Sequence, residues 1–165
     1  MKINIIGPSG SGKTYLTQRL GEKYHIPVHH LDEIFWDNSS SAFSMKRDPE
    51  TRDAMLAKIL KDEDWIIEGV QHAWVGGSFA AADQIYLLET PAALCRFRIV
   101  KRFIQRKLHK NGRKNETLTS LIALLKWTRK FYAVNLPVIR AELQRYDEKV
   151  ITIKHKAQLR SILDA

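Results

Sequence analysis

The feature that most constrains this chain is a glycine-rich stretch near its beginning, residues 7–14, which spells GPSGSGKT. It matches the pattern G-x-x-x-x-G-K-[ST] at every fixed position. The glycines allow a tight turn in which successive backbone N–H groups point inward at an anion. Lys13 would place a positive charge on the outer phosphates, and the Thr14 hydroxyl would bind the accompanying Mg²⁺. The stretch therefore predicts a binding site for a polyphosphate.

The sequence on both sides of this loop favours the same interpretation. Residues 2–6 predict a short buried strand that leads into the loop, and residues 15–20 predict the start of a helix. The N-terminal dipole of that helix adds positive potential at the same point. The alternative is a glycine-rich turn with an exposed lysine. We expect the nucleotide to be bound by Gly10, Ser11, Gly12, Lys13, Thr14 and Tyr15.

Length and composition predict a single globular domain over residues 1–165, because 44% of the residues are hydrophobic. The one cysteine, Cys95, cannot form an intrachain disulfide, which fits a reducing compartment. No stretch approaches the ~20 apolar residues of a membrane span, and the first residues do not resemble a secretion signal. We expect a cytoplasmic protein that does not enter a membrane.

Charge is unevenly distributed along the chain. Residues 1–95 contain 9 Lys/Arg and 13 Asp/Glu, a net charge of −4, whereas residues 96–165 contain 18 and 5, a net charge of +13. A basic half beside a phosphate-binding loop indicates polyanionic ligands. Nucleotides satisfy that requirement, and nucleic acid is an open alternative.

Short apolar segments alternate with helical patterns along the whole chain. This alternation predicts an α/β fold with three layers, in which helices cover both faces of a parallel sheet. Between the second and third segments, residues 37–47 predict a serine-rich loop, and Asp48-Pro49-Glu50 predicts a helix start. The five predicted strands are residues 2–6, 28–31, 65–67, 84–88 and 150–153.

Acidic and aromatic residues follow the second and third predicted strands. Open α/β sheets bind ligands at the carboxyl ends of their strands, so Asp32, Glu33 and Glu68 are candidates there. A carboxylate at this edge could hold Mg²⁺ through water or accept a proton from an attacking hydroxyl. Solvated turn acids are the alternative. Phe35 and Trp36 could stack on a ring of an acceptor molecule, although core packing explains them equally well.

Three arginines occupy one face of the predicted helix that follows the fourth strand. Arg98, Arg102 and Arg106 are spaced i, i+4, i+8, a spacing that costs roughly 0.2–0.5 kcal/mol per like-charged pair. Residues 96–114 contain no acid to offset this cost. The row therefore favours a clamp on transferring phosphates over a solvated basic face. The cations that follow predict a flexible lid over about residues 102–116.

Taken together, these stretches resemble the small P-loop kinases of the adenylate and shikimate kinase type. Within that group the chain is most similar to the bacterial DNA topology modulation proteins. The resemblance implies a P-loop NTPase fold with strand order 2-3-1-4-5, a helical lid, and ATP with Mg²⁺ as phosphoryl donor. It further implies that Arg98 packs on adenine, that Arg102 touches phosphates, and that Asp32 lies near the metal and the acceptor. The stretches that carry it are residues 5–14, 30–36, 65–69 and 135–137.

The chain departs from adenylate kinases after the third strand. Those enzymes have Asp-Gly-Phe-Pro-Arg there, and the arginine grips a nucleoside monophosphate, whereas residues 68–72 here are Glu-Gly-Val-Gln-His. A nucleotide acceptor is therefore not implied, although Arg47 or Arg52 could hold an acceptor phosphate.

The first functional hypothesis is a kinase that transfers the γ-phosphoryl of ATP to a small-molecule acceptor. In it Lys13, Arg102, Arg106 and Asp32 are catalytic, and Thr14 and Asp32 hold the metal. The acceptor would be bound by Asp32, Phe35, Trp36, Glu68 and Arg47. An ATP-binding regulator that binds DNA is the second hypothesis. A GTPase switch is the third, and the chain lacks the Asn-Lys-x-Asp stretch that reads guanine.

Overall fold

A parallel sheet of five strands lies at the centre of the fold. The computed structural model describes residues 1–37, 45–108 and 117–164. In chain order the strands are β1 (Lys2–Ile6), β2 (Val28–His30), β3 (Trp36–Asp37), β4 (Met45–Lys46), β5 (Trp65–Gly69), β6 (Gln84–Leu88) and β7 (Val150–Ile153). The α-helices are α1 (Lys13–Tyr24), α2 (Leu31–Phe35), α3 (Pro49–Ile59), α4 (Gly76–Ala81), α5 (Ala92–Leu108), α6 (Leu118–Lys130), α7 (Leu136–Leu143) and α8 (Lys156–Asp164). A π-helical segment, Phe131–Asn135, joins α6 to α7, and a 3₁₀ segment, Gln144–Lys149, precedes β7.

The order of the parallel strands is β2-β5-β1-β6-β7. Counted among the five parallel strands alone, this is 2-3-1-4-5, so the expected order is confirmed. Strand β1 lies in the middle and pairs with β5 and β6 on its two sides. The loop that follows β1 therefore leaves the sheet at its centre, where ligands of open α/β sheets bind.

A second, antiparallel pair of short strands was not predicted. Strands β3 and β4 pair through Trp36 with Lys46 and through Asp37 with Met45. The sequence predicts a loop over residues 37–47, and that prediction is wrong at Asp37 and at Met45–Lys46, which are strand. Residues 38–44 lie outside the described residues.

Each face of the sheet carries its own hydrophobic core, which confirms the three layers. Along β1 the side chains alternate, because successive residues of a strand point to opposite faces. Ile3 and Ile5 pack with Leu16 and Leu20 of α1. Ile6 packs on the other face, with Phe79, Phe131 and Ile139 among its core partners.

The predicted start of helix α3 is confirmed. The Asp48 side chain accepts a hydrogen bond from the Thr51 backbone N–H at 2.9 Å, and Pro49 is the first helical residue. Hydrogen bonding from Thr51 holds the pKa of Asp48 below its ordinary value.

The predicted apolar face of α5 is partly wrong. The spacing of apolar residues in the sequence predicts a buried face made of Leu94, Phe97, Val100, Phe103 and Ile104. Phe97 and Ile104, however, have exposed fractions of 61% and 49%. The buried residues of α5 are instead Cys95, Ile99 and Phe103. The first turns of α5 pack against the loop after β1, and this contact turns the small Cys95 inward.

Within residues 1–37, 45–108 and 117–164, no helix combines the length and the apolar character that crossing a membrane requires.

Candidate active site

The loop between β1 and α1 has a backbone shape that depends on glycine. Gly10 has φ +79° and Gly12 has φ +105°, values that side chains rarely permit. A Cβ on Gly10 would also lie 2.8 Å from the Cys95 carbonyl oxygen. The motif glycines therefore allow both the turn and its close approach to α5.

Side chains from α5 and from the connection between β6 and α5 hold the outer carbonyls of this loop. The Thr90 hydroxyl donates to the Ser11 carbonyl at 3.0 Å. Nη1 of Arg98 donates to the carbonyls of Gly10 at 3.0 Å and of Ser11 at 3.1 Å. The loop is thus fixed in position by residues some 80 or more positions later in the chain.

The Tyr132 hydroxyl extends this support from the π-helical segment. It hydrogen-bonds to the Thr90 carbonyl and lies 3.2 Å from the Cys95 sulfur. Burial raises the pKa of Tyr132 well above its ordinary value, with a contribution from the Cys95 contact, so the hydroxyl keeps its proton.

Lys13 is nearly enclosed, with 9% of its surface exposed. Its Nζ donates to the Pro8 carbonyl at 3.1 Å. Burial lowers the pKa of Lys13, the negative charges of Glu68 and Asp32 oppose that shift, and the positive charge of Arg102 adds to it. Two carboxylates and one arginine that are candidates from the sequence therefore act electrostatically on the loop lysine.

A cavity of about 630 Å³ lies on one side of the loop, within the size range of nucleotide sites. Every residue predicted to bind the nucleotide lines it: Gly10, Ser11, Gly12, Lys13, Thr14, Tyr15 and Arg98. We call it the nucleotide-side cavity. Other lining residues, which the sequence analysis missed, include Thr90, Pro91, Leu94, Ile153, Lys154, His155, Lys156, Leu159 and Arg160. Many of them follow the carboxyl ends of β6 and β7, and that position was the available signal.

The three arginines on one face of α5 do not all line the nucleotide-side cavity. Arg98 and Arg102 line the nucleotide-side cavity, whereas Arg106, one turn further along α5, does not. Helix α5 continues to Leu108. The remainder of the predicted lid, residues 109–116, lies outside the described residues, so the lid stays a prediction.

A second cavity of about 490 Å³ lies across the loop. Ser9 lines this cavity while Gly10 lines the first, so the loop separates them. Asp32, Phe35 and Trp36 line it, as the sequence analysis proposed for an acceptor. We call it the acceptor-side cavity. Its other lining residues are Val70, Gln71, His72, Ala73, Trp74, Leu124, Trp127 and Asn135.

Local structure explains how the polar residues reach this cavity. Helix α2 begins directly after β2, so Asp32 lies in a first helical turn rather than in a loop. The Gln71 side-chain amide donates to Asp32 Oδ1 at 2.8 Å and joins the ends of β2 and β5.

Asn135 ends the π-helical segment two residues before Pro137, which lacks the N–H of a regular helical bond. Such π segments are frequent at functional sites.

Aromatic rings form much of the wall of the acceptor-side cavity. Phe35 and Trp36 meet edge to face with ring centroids 4.8 Å apart. Phe35 and Trp74 lie 6.4 Å apart with ring planes within 23° of each other. Trp127 contributes a further ring, and it contacts the core through Phe131. The wall is therefore suited to a ring-shaped guest.

Glu68 is buried and paired with a residue that the sequence analysis did not select. Its Oε1 lies 2.8 Å from His30 Nδ1, and these two residues are register partners in the pairing of β2 with β5. Its Oε2 is buried without a hydrogen-bond partner in the part of the chain that the structure describes. Glu68 lines neither cavity, yet its charge acts on Lys13. A buried, unpaired carboxylate oxygen is a natural partner for a metal-bound water or a ligand hydroxyl.

The oxygen donors near the loop fit a magnesium ion that arrives with a nucleotide. Mg²⁺ is usually held by one or two carboxylates together with substrate phosphates and waters. Thr14, Asp32 and the unpaired oxygen of Glu68 supply that kind of donor set. Among the described residues no group of three or more His, Cys, Asp or Glu forms a self-contained metal site.

The two arginines considered for an acceptor phosphate contact other groups. Arg47 donates through Nε to the Ile34 carbonyl at 3.0 Å, at the end of α2. The Arg52 guanidinium lies 4.5 Å from the centroid of the Trp74 ring and 2.7 Å from Asp53 Oδ1. Neither arginine lines the acceptor-side cavity.

Comparison with known proteins agrees with this architecture at the level of the fold. No protein-family model matches the sequence, and a search of curated proteins gives no relative. A gluconokinase from Sinorhizobium meliloti 1021 superimposes with a TM-score of 0.56 at 15% identity, covering 99% of this chain and 87% of that one. A shikimate kinase from Acinetobacter baumannii, in complex with shikimate, gives 0.56 at 17% identity, covering 99% and 88%.

These similarities show the fold, a five-stranded parallel sheet with flanking helices that matches the P-loop folds of these two kinases. The similarity to DNA topology modulation proteins stays a prediction.

Proposed function

We propose that this protein is an ATP-dependent phosphotransferase that moves the γ-phosphoryl group of ATP to a hydroxyl of a small molecule. The observation that carries the proposal is the arrangement of the two cavities. They lie on opposite sides of one phosphate-binding loop, and the charges of Asp32, Glu68 and Arg102 act on the enclosed Lys13. A donor and an acceptor bound in them would approach each other at this lysine.

On the donor side, the backbone N–H groups of the loop and the Lys13 ammonium would hold the β- and γ-phosphates. Thr14 would ligate Mg²⁺ directly and Asp32 through water, and the bound ion would supply charge neutralisation at the phosphates. Arg102 would stabilise the charge on the transferring group. Arg106, on the next turn of α5, would be a second cation for the same role. Arg98 would support the loop from outside through its two carbonyl contacts.

On the acceptor side, the acceptor hydroxyl oxygen forms a bond to the γ-phosphorus. The bond between that phosphorus and the β–γ bridging oxygen breaks, ADP leaves, and the hydroxyl proton passes to a carboxylate. We assign that proton to Asp32, because it lines the acceptor-side cavity and Glu68 does not. Glu68, fixed by His30, would orient a water or the acceptor through its unpaired oxygen.

The proposal is tested by calorimetry with ATP and Mg²⁺ and by ADP release in the presence of nucleosides, sugars and small alcohols. We expect ATP to bind, and at least one acceptor to raise ADP release above the background. Lys13→Ala should abolish turnover, since it removes the cation at the phosphates. Lys58→Ala, at an exposed lysine on α3, is the matched control and should retain activity. The absence of any heat with ATP would refute the proposal.

The alternative of an ATP-binding regulator that binds DNA depends on the net charge of +13 in residues 96–165. It predicts DNA binding that weakens steeply with salt, with a log–log slope near −0.9 for each phosphate contacted. If DNA does not bind at low salt, that alternative is excluded.

A further inference from the structure

We propose that the acceptor carries no negative charge and is a neutral, ring-bearing alcohol of the nucleoside class. This inference rests on the proposed function, because it assigns the molecule that the acceptor-side cavity receives. The proposal excludes acceptors that carry a phosphate or carboxylate group.

The charges in the cavity are the first argument. No lysine or arginine is found among the described residues that line it, and Asp32 contributes a carboxylate. Phosphate and carboxylate groups are recognised by arginine forks or by lysine. An acceptor with such a group would meet a like charge at Asp32 and no lysine or arginine among these lining side chains. The one imidazole among them, His72, has its Nδ1 3.9 Å from Glu142 Oε2, so a carboxylate already faces it.

Three cations near the cavity wall have other contacts. Lys46 Nζ lies 5.7 Å from the centroid of the Phe35 ring. The other two are arginines. Arg47 braces the end of α2 through the carbonyls of Ile34 and Trp36, at 3.0 and 3.4 Å. Arg52 pairs with Asp53 and covers the Trp74 ring. Recruiting either one to an anionic acceptor would break interactions that hold the cavity wall.

The polar and aromatic groups that do line the cavity match a neutral guest. The amides of Gln71 and Asn135 each provide both donors and acceptors, which suits hydroxyl and carbonyl groups of an uncharged molecule. Phe35, Trp36 and Trp74 provide ring faces and edges for stacking. A volume of about 490 Å³ accommodates a base and a ribose together.

Matched pairs of acceptors that differ only in charge test this inference. We would compare adenosine, uridine and thymidine with their 5′-monophosphates, and the methyl ester of shikimate with shikimate. Binding is followed by tryptophan fluorescence with a non-hydrolysable ATP analogue present, and turnover by ADP release. We expect at least one nucleoside to bind and to be phosphorylated with kcat/KM at least 100-fold above that of its monophosphate.

The inference is overturned if the charged member of each pair is preferred or equal, or if no nucleoside binds. Calorimetry with ATP alone separates this failure from failure of the proposed function. Binding of ATP together with phosphorylation of a charged acceptor would refute the inference and leave the kinase assignment standing.

Placing a cation in the cavity provides a second test. Asn135→Arg should raise the affinity for the monophosphates at least tenfold relative to the parent and lower the affinity for nucleosides, because it also removes the amide. Leu124→Arg, at another lining position, repeats the test if the first variant does not fold. Ala123→Arg, at an exposed position of α6 outside the cavity, is the control. A parent that already binds the monophosphates as tightly as these variants would contradict the inference.

Discussion

On the nucleotide side of the loop, six consecutive residues, Gly10 to Tyr15, line the cavity, whereas the acceptor side draws its lining from segments scattered between Ser9 and Asn135. The first surface presents main-chain N–H groups and cations, and the second presents aromatic rings, amides and a carboxylate. Polyphosphate binding needs a local backbone shape, so a short motif can specify it. Acceptor binding needs side chains that only the complete fold brings together.

The largest effect that would sharpen this comparison is expected at Arg102. Arg102→Ala removes a cation from the nucleotide-side cavity, and arginines that stabilise phosphoryl transfer contribute about 10³-fold or more to kcat. We expect kcat to fall by about that factor while ATP affinity changes far less. Lys101→Ala, at an exposed neighbour, should behave like the parent. An Arg102→Ala enzyme with unchanged kcat would remove the clamp from the donor side.

The next effect separates the two carboxylates. Asp32→Asn should lower kcat by about 10²–10⁴-fold, as expected for loss of a general base. Glu68→Gln should lower it less, because Glu68 lines neither cavity. Glu33→Gln, at an exposed acid of the same helix turn, is the control. A larger loss for Glu68→Gln than for Asp32→Asn would transfer the proton-accepting role to Glu68.

A smaller effect is expected in the pH dependence of ATP binding. Burial lowers the pKa of Lys13 from 10.5, so its charge is lost at a lower pH than that of an exposed lysine. ATP affinity, measured by calorimetry, should therefore be retained below the lowered pKa and fall as pH rises through it.

Two further measurements check the sign of this effect. Lys13→Arg keeps its charge at alkaline pH, so its ATP affinity should not show this fall. Between the lowered pKa and 10.5 the unfolded chain holds a proton that the folded chain has released. The contribution of Lys13 to the free energy of unfolding should therefore rise with pH in that window. An ATP affinity of the parent that stays constant up to pH 10.5 would contradict the assignment.

The smallest effect concerns the acceptor side alone. Trp74→Leu removes one ring of the wall, and stacking of one base on an aromatic ring is worth about 1–3 kcal/mol. We expect the KM for the acceptor to rise about tenfold and the KM for ATP to stay the same. Phe97→Leu, at an exposed aromatic residue of α5, controls for nonspecific loss. Equal changes in both KM values would show that the two cavities are not independent.

The sequence predicted the α/β fold well, and the residues that it assigns to the nucleotide line one cavity. The loop glycines and the capping of α3 by Asp48 depend on local patterns, whereas the strand order came from the family resemblance. The pairing of Glu68 with His30 depends on the register between β2 and β5, which no local pattern specifies. Asn135 reaches its cavity through a π-helical segment that helical periodicity does not reveal.

The error on α5 has a similar origin. The helical pattern alone favoured Phe97 and Ile104 as buried residues, but the fit of Gly10 against the Cys95 carbonyl decides which side of the helix turns inward. That contact joins residues 85 positions apart, so it emerges only in three dimensions.

The contact between Lys13 and Pro8 has a consequence for how quickly the loop can accept its ligand. An ammonium group has three N–H bonds, and within the described residues the Pro8 carbonyl occupies one of them. The side chain is already ordered before anything binds, so its rotational entropy has been lost during folding rather than at the encounter. An arriving triphosphate would exchange one carbonyl for its own oxygens, and no search through side-chain rotamers would slow its capture.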